Sequence, residues 1–157
     1  MPDPMLNRRA FLASSAAAGL LAACGGGPPG PAAVTVAVTG AAGMNPGPDG
    51  ADRPVSLTIL RLKDAGAFNS ADFFALQNDP AAALGADLVG MDQLAVAPGA
   101  SASKTVSFEP EATTLGLMAA LRDPTGKVWR SVAPVAPGKA ATATVTLGPS
   151  GLALAMS

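Results

Sequence analysis

Residues 33–39 read Ala-Val-Thr-Val-Ala-Val-Thr, and residues 55–62 read Val-Ser-Leu-Thr-Ile-Leu-Arg-Leu. In the first stretch valines alternate with smaller or polar residues, which is the period-two pattern of a half-buried β-strand. The second stretch starts with the same alternation and changes phase at Leu60, which indicates either burial on both faces or a β-bulge. Together the two stretches predict a β-sheet protein in which the second strand is central.

Short apolar alternations continue along the rest of the chain, separated by turn signals. The alternating positions are Leu94 and Val96; Val106 and Phe108; Leu115, Leu117, Ala119 and Leu121; Val128 and Val132; Ala143, Val145 and Leu147; Leu152 and Leu154. Pro and Gly lie between these segments, for example in residues 123–126, where Pro presets φ and Gly allows positive φ. The pattern predicts a mainly β protein, a sandwich of about eight short strands.

One interval, residues 68–88, departs from the β pattern. Asn69 is expected to cap a short helix, with Asp72 in the first turn of that helix. Asp79 followed by Pro80 offers a second N-cap. We therefore expect a small helical insertion after the second strand.

The first residues have the features of an export signal. Arg8 and Arg9 precede an apolar stretch over residues 10–23, which is shorter than the roughly 18 residues expected of a membrane-spanning helix. The stretch ends in Leu21-Ala22-Ala23-Cys24, which resembles the lipobox of bacterial lipoproteins and contains the only cysteine of the chain. A lone cysteine in an apolar run can also be a buried residue, but this combination of features favours lipidation.

The resemblance to a lipobox implies cleavage between Ala23 and Cys24, with diacylglycerol on the Cys24 thiol and an acyl chain on its amine. Residues 1–23 are then a signal peptide, residues 24–32 a lipidated cysteine with a flexible Gly/Pro tether, and residues 33–157 the sandwich domain. Three acyl chains exceed the two signals that stable anchoring requires. Export through the general route and export through the twin-arginine route both remain open.

The amino-acid inventory excludes several functional classes. The chain of 157 residues has no His and a single Cys, so His-based catalytic triads, Cys/His zinc clusters and internal disulfides are excluded. The net charge is −1 and charged residues make up 13%, which gives no basic field for nucleic acid. We expect no catalytic residues, no metal and no nucleic-acid partner.

The segment between the first two strands, residues 41–54, is expected to be a projecting loop. It contains Gly and Pro too often for a helix or a strand. Long loops on a rigid scaffold are often functional, although a disordered, solvated loop has the same composition. Asn45, Asp49 and Asp52 could supply oxygen ligands to calcium, but their spacing does not fit a calcium loop.

The order of short motifs resembles one protein family. The motifs are Met44-Asn45-Pro46, Gly50, Arg53-Pro54, Leu60-Arg61-Leu62-Lys63, Phe68, Ala71-Asp72-Phe73-Phe74, Leu76, Leu84-Gly85-Ala86-Asp87-Leu88, Pro98-Gly99, Leu115-Gly116, Ala119-Ala120-Leu121-Arg122-Asp123 and Trp129-Arg130. This series is similar to that of the outer-membrane lipoproteins of the type VI secretion system, the TssJ (VasD) family. One departure is Leu60-Arg61, where family members often carry Tyr-Gln.

The resemblance implies a transthyretin-like β-sandwich and a structural role. It implies a lipoprotein on the periplasmic face of the outer membrane that anchors the membrane complex by binding the periplasmic C-terminal domain of TssM. It also implies that the loop contacts this partner, through Met44, Asn45, Pro46, Asp49, Gly50, Asp52, Arg53 and Pro54. We expect no cofactor beyond the covalent lipid and no small-molecule substrate, and we expect that deleting residues 43–52 abolishes binding without unfolding the domain. A periplasmic carrier of a small ligand and an envelope hydrolase are the alternatives.

Overall fold

A computed structural model describes residues 30–157, which form two four-stranded β-sheets packed face to face. The strands are β1 (Ala32–Gly40), β2 (Val55–Leu62), β3 (Leu88–Val96), β4 (Ser101–Phe108), β5 (Thr114–Ala119), β6 (Arg130–Pro134), β7 (Ala140–Gly148) and β8 (Gly151–Met156). The predicted lipobox, including Ala23 and Cys24, and most of the predicted tether lie outside the described residues. The predicted sandwich of eight strands is confirmed.

The first sheet has the order β4-β1-β7-β8 and the second has the order β3-β2-β5-β6. Neighbouring strands are antiparallel except β1 and β7, which are parallel. The two central strands of each sheet, β1 and β7 in the first and β2 and β5 in the second, therefore pair on both sides. Residues 33–39 and 55–62 lie in the central strands β1 and β2, which explains why these two stretches dominate the sequence pattern.

The main core lies between the sheets and follows the period-two alternation. Val34, Val36 and Val38 of β1 are at most 1% exposed and face the second sheet. Leu57 and Ile59 of β2 are fully buried on the opposite side of this core. Burying such side chains contributes about 1.5–3 kcal/mol each, so these strands cannot shift register by one residue without losing their core.

The change of phase in β2 has two causes. Leu60 and Leu62 face away from the main core and belong to a second apolar cluster beneath the helices. In addition, Arg61 pairs with Gly90 whereas Leu62 pairs with Leu88, so β3 carries one extra residue at this point. Burial on both faces and a bulge were alternatives in the sequence, and the structure has both.

The helical insertion consists of α1 (Gly66–Ser70), α2 (Phe73–Asn78), α3 (Pro80–Leu84) and a 3₁₀ turn (Gly85–Asp87). It covers the outer face of the second sheet with Phe68, Phe73, Leu76 and Leu84. No helix within residues 30–157 has the length and apolar character of a membrane span.

The prediction that Asn69 is an N-cap is wrong, because Asn69 lies inside α1. The chain becomes extended at Ala71 and Asp72, and the Asp72 carboxylate accepts a hydrogen bond from the Ala75 N–H at 2.8 Å. Asp72 therefore caps α2. The second predicted cap is confirmed, because the Asp79 carboxylate accepts a hydrogen bond from the Ala82 N–H at 3.0 Å.

Three boundaries differ from the sequence prediction. β1 begins at Ala32, and β3 begins at Leu88 rather than near Leu94. Val128 lies before β6 and makes only an isolated bridge to Gly151. The first half of β3 is an edge segment with partly exposed residues on both faces, so it lacks the alternation that identifies a strand.

Candidate partner-binding loop

The loop of residues 41–54 lies at one end of the sandwich, where β1 ends and β2 begins. The connections β3–β4, β5–β6 and β7–β8 lie at the same end. The Gly99 N–H donates to the Gly40 carbonyl at 2.9 Å, and the Ala41 N–H donates to the Leu147 carbonyl at 2.7 Å. The start of the loop is thereby fixed to two neighbouring connections.

Met44 closes the end of the main core. Its side chain is fully buried and belongs to the inter-sheet cluster. The backbone of Gly40 passes so close that a Cβ at this position would lie 2.8 Å from the Met44 sulfur. The loop therefore covers the end of the main core in addition to connecting β1 and β2.

Asn45 connects both sides of the loop to the β5–β6 connection. Its side chain amide donates to the Pro54 carbonyl at 3.3 Å and accepts from the Arg122 N–H at 2.8 Å. Its backbone carbonyl accepts from the Arg53 N–H at 2.8 Å. Because Asn45 is only 5% exposed, these bonds satisfy polar atoms that water does not reach freely.

Asp52 holds the two sides of the loop together. Its carboxylate accepts hydrogen bonds from the Gly43 N–H at 2.6 Å and from the Asn45 N–H at 3.3 Å. Gly43 has a φ of 78°, a conformation that side-chain-bearing residues rarely adopt. An antiparallel bridge between Pro46 and Asp52 completes a short ribbon.

Residues 47–51, which we call the tip, extend beyond this ribbon. The Gly47 N–H donates to the Ala51 carbonyl at 2.8 Å, which closes the tip. An ion pair of 3.0 Å joins Arg53 to Asp49, and both side chains are more than half exposed. An exposed pair of this kind contributes little to stability, so its charges are available to a partner.

The residues that the sequence assigned to partner binding fall into two groups. Met44 and Asn45 are buried and Asp52 is half-buried, so these three residues support the loop. The exposed members are Pro46, Asp49, Gly50, Arg53 and Pro54. A partner that approaches this end of the sandwich would meet the exposed group.

Sequence reasoning missed the part played by the β5–β6 connection. Its backbone binds Asn45 through Arg122, and the side chains of Arg122 and Asp123 are exposed beside the loop. The Thr125 N–H donates to the Asp123 carboxylate at 3.0 Å, and this hydrogen bond lowers the pKa of Asp123 from its ordinary value of 3.8. The sequence predicts a turn at residues 123–126, but no sequence pattern indicates that this turn lies beside the loop.

The described residues give no support to a metal site. Asp49 is engaged with Ala51 and Arg53, and Asp52 binds backbone N–H groups. Within residues 30–157 no group of three or more His, Cys, Asp or Glu residues could hold an ion.

Two recesses lie on the outer faces of the sheets. One of about 390 Å³ lies over small residues of β1 and β4. The other, of about 380 Å³, lies between α2 and the second sheet. The space between the sheets, where a carrier would hold its ligand, contains the fully buried side chains of the main core.

Comparison with known proteins identifies the family of the chain. No curated protein sequence matches it. Residues 32–150 match the family T6SS-SciN, described as type VI secretion lipoprotein, VasD, EvfM, TssJ. The chain is 30% identical to the lipoprotein TssJ1 of Pseudomonas aeruginosa, with a TM-score of 0.75 over 81% of this chain and 97% of that chain.

Two further structures share the fold. Serratia marcescens Lip, described as a membrane-bound component of the type VI secretion system, is 25% identical, with a TM-score of 0.72 over 78% of this chain and 96% of Lip. A chain in a structure described as the TssM C-terminal domain from EAEC is 22% identical, with a TM-score of 0.67 over 78% of this chain and 97% of that one. The match across both sheets and the loop shows that the chain belongs to the TssJ (VasD) family of type VI secretion lipoproteins.

Proposed function

We propose that this type VI secretion lipoprotein anchors the membrane complex to the outer membrane by binding the periplasmic C-terminal domain of TssM through the tip of its loop. Family membership supports the secretion role. The fold is shared with a chain in a structure described as the TssM C-terminal domain. The role is structural and involves no catalysis.

The observation that carries the proposal is that residues 30–32, the described end of the predicted tether, lie at the start of β1 and the loop lies at its other end. The tether enters β1 at Ala32 and the loop leaves it after Gly40. Nine residues of strand span roughly 30 Å. A domain attached to the outer membrane at its first end would present the tip away from that membrane, toward a partner from the inner membrane.

The internal bonds of the loop favour binding. Asn45 and Asp52 hold the ribbon in one conformation before any partner arrives. A segment that is already ordered loses less conformational entropy on association than a flexible one. The exposed Asp49 and Arg53 offer charges of both signs, which suit specificity more than raw affinity.

The anchor in this proposal is Cys24, with diacylglycerol on its thiol and an acyl chain on its amine. Cleavage after Ala23 would make Cys24 the first residue of the mature protein. The chain would then be tethered by lipid on the periplasmic face of the outer membrane. No other cofactor takes part.

The partner contact can be tested by calorimetry with the periplasmic C-terminal domain of the cognate TssM. The test variant replaces residues 47–51 by Asn-Gly, a two-residue turn that fits the antiparallel bridge between Pro46 and Asp52. It removes the tip and keeps Met44, Asn45 and Asp52. We expect a saturable one-to-one complex with the unmodified domain and at least a tenfold weaker one with the variant.

The matched pairs D49A/R53A and E111A/K139A separate the loop from general charge effects. Each pair removes one exposed acid and one exposed base, but Glu111 and Lys139 lie at the opposite end of the sandwich. Only the first pair should weaken binding. Unchanged affinity of the tip variant would refute the assignment of the contact to the tip. Absence of binding by the unmodified domain at high micromolar concentration would refute the TssM contact and direct a ligand search toward the carrier alternative.

The lipid anchor is tested by C24S in cells. We expect the unmodified protein to sediment with outer membranes and to require detergent for release. The variant should be absent from the outer membrane. It should be either a folded, soluble protein or a protein that is retained with its signal peptide uncleaved. Outer-membrane fractionation of C24S equal to that of the unmodified protein would exclude this anchor.

A further inference from the structure

β8 is an edge strand, because among residues 30–157 it pairs with β7 on one side and with no strand on the other. Thr142 and Ser157 exchange both of their backbone hydrogen bonds. Such bonded pairs alternate along an antiparallel ladder, so only every second residue of β8 directs its backbone groups toward β7. The N–H and C=O groups of Leu154 and Met156 therefore point away from the sheet.

Only the first part of this outer edge is covered. The Leu152 N–H, which also points away from β7, donates to the Val128 carbonyl at 2.6 Å. Shortly after Val128 the chain enters β6 of the second sheet. In the described part of the chain, the outward backbone groups of Leu154 and Met156 have no hydrogen-bond partner. We call residues 154–156 the open edge.

The other three edges of the two sheets carry features that oppose pairing with a further strand. An ion pair of 3.2 Å between Lys104 and Asp92 joins β4 to β3. β6 has only five residues and ends at Pro134. Charges, short length and Pro are the means by which proteins protect exposed edges. β8 has neither a charged residue nor a Pro.

A second copy of the chain does not fit the open edge when both copies are anchored. Two identical edge strands that pair about a two-fold axis are antiparallel. β7 is parallel to β1 and β8 is antiparallel to β7, so β8 runs from the loop end of the sandwich to the tether end. A paired copy would be inverted, and lipid in one membrane could not hold both copies.

The proposed contact with TssM lies close to the open edge. The Ala41 N–H of the loop donates to the Leu147 carbonyl of β7, just before the β7–β8 turn. Leu154 and Met156 follow Gly151, the first residue of β8, by three and five residues. These steps correspond to about 10 and 17 Å along the strand. A partner domain bound at the loop end therefore has the open edge within reach.

The side chains of β8 define the kind of segment that fits. Leu154 and Met156 are half-buried and pack against the main core, so side chains placed beside them should be apolar. Ala153 and Ala155 are exposed on the outer face and leave room for larger neighbours. The fitting segment is extended, uncharged and apolar at alternate positions.

We infer that such a segment of the TssM domain pairs antiparallel with the open edge and continues the first sheet of the sandwich. It would exchange two backbone hydrogen bonds with Leu154 and two with Met156. Addition of a strand to an exposed edge is an established mode of peptide recognition. The inference rests on the proposed function for the identity of the partner, and it adds a second contact to the tip.

Calorimetry of M156P with the periplasmic C-terminal domain of the cognate TssM tests the pairing. Pro has no N–H, and the Met156 N–H takes no part in the ladder with β7, so the substitution should be tolerated at this edge. M156A is the matched control, because it also removes the Met side chain but keeps the N–H. We expect M156P to bind at least tenfold more weakly than M156A, with equal urea midpoints. Equal affinities of the two variants would overturn the inference.

Photo-crosslinking in cells tests the same contact without a Pro substitution. Benzoylphenylalanine replaces Ala155 at the open edge, Ala51 in the tip or Ser103, which is exposed on the opposite edge strand β4. We expect adducts with TssM from positions 155 and 51 but not from position 103.

The three positions separate failure of the inference from failure of the proposed function. An adduct from position 51 without one from position 155 would refute strand addition and leave the tip contact intact. An adduct from position 155 alone would support strand addition and refute the tip contact. If position 155 gave no adduct, an adduct with a second copy, or no more TssM adduct than position 103, the inference would be wrong.

Discussion

Asn45 contributes to the loop through its buried amide rather than through contact with a partner. It is 5% exposed and bonded to Pro54 and to the backbone of Arg122. N45A would leave the Arg122 N–H without its partner. Since a buried group left unsatisfied costs about 1–3 kcal/mol, we expect a loss of this size in the free energy of unfolding.

Urea denaturation measures this loss, and N69A is the matched control. Asn69 is exposed on α1, so its replacement should change the free energy by less than about 0.5 kcal/mol. Equal effects of the two variants would contradict the role of Asn45. N45A should also weaken partner binding, because the tip is then held less firmly.

Asp123 predicts a pH dependence. Hydrogen bonds from the Thr125 backbone and side chain stabilise its charged form and lower its pKa below 3.8. A group with a lowered folded pKa adds stability above its unfolded pKa, and this contribution disappears as the pH falls through the folded value. We therefore expect the stability difference between the unmodified domain and D123N to be constant near neutral pH and to shrink below about pH 4.

The measurement is urea denaturation of both proteins between pH 7 and pH 2, together with an NMR titration of the Asp123 carboxyl carbon. A titration midpoint at or above 3.8 would show that the Thr125 bonds do not hold in solution. The carboxylate is fully exposed, so solvent screening keeps the contribution small.

Arg61 shows how one residue can depart from the family pattern and still fit the fold. Its guanidinium donates to the Glu109 carboxylate at 2.8 Å and to the Ser107 carbonyl at 3.1 Å, which joins the second sheet to the first. Gly90 makes room, because a Cβ there would collide with the guanidinium. The neighbouring Leu60 belongs to the cluster beneath the helices.

At the scale of elements, the strands were predictable and the contacts of the loop were not. Alternation identifies a strand because burial on one face repeats every two residues, as in Val34, Val36 and Val38. The bond from Arg122 to Asn45 joins residues 77 positions apart, and no local pattern indicates such a pair. The Gly and Pro residues predicted the position of the loop, and the family resemblance supplied its expected partner, whereas the burial of Met44 required the structure.

The buried Met44 changes one expectation from the sequence. Deletion of residues 43–52 was expected to leave the domain folded. It would remove a fully buried side chain and open the end of the main core, and replacing a buried Met even by Ala costs about 2–5 kcal/mol. Exchange of the tip alone avoids this loss.

The helical insertion depends on its caps because its helices are short. The longest of those described, α2, has six residues, which is too few for independent stability. D72A removes the bond to the Ala75 N–H and should lower the free energy of unfolding by about 1 kcal/mol. D72N should stay close to the unmodified domain, because Asn and Asp cap equally well.

Thermal or urea unfolding of the two Asp72 variants decides the point. A loss in D72N equal to that in D72A would mean that the charge, and not the capping bond, is what stabilises α2. No loss in either variant would mean that tertiary packing alone holds the helix.

For the whole molecule, Trp129 connects the two apolar clusters. It is partly buried, packs against both clusters, and makes an edge-to-face contact with Phe73 at 5.1 Å between ring centroids. Arg130 stacks on the same ring and donates to the Phe68 and Ala71 carbonyls at the end of α1. Trp129 and Arg130 therefore link the insertion to the main core, in addition to the packing of the insertion on the second sheet.

This coupling predicts that the insertion and the sandwich unfold together. Since Trp129 is the only tryptophan, its fluorescence reports on the junction, while far-UV circular dichroism reports mainly on the strands. The two urea curves should coincide, as expected of a two-state domain.

F73A should lower both midpoints by the same amount. The free energy of unfolding should fall by about 3–5 kcal/mol, because Phe73 is a buried aromatic side chain. F74A is the control, because Phe74 is 65% exposed and its replacement should lower the free energy of unfolding far less. A fluorescence transition that precedes the change in circular dichroism would mean that the insertion melts separately, and that the sandwich alone supports the loop.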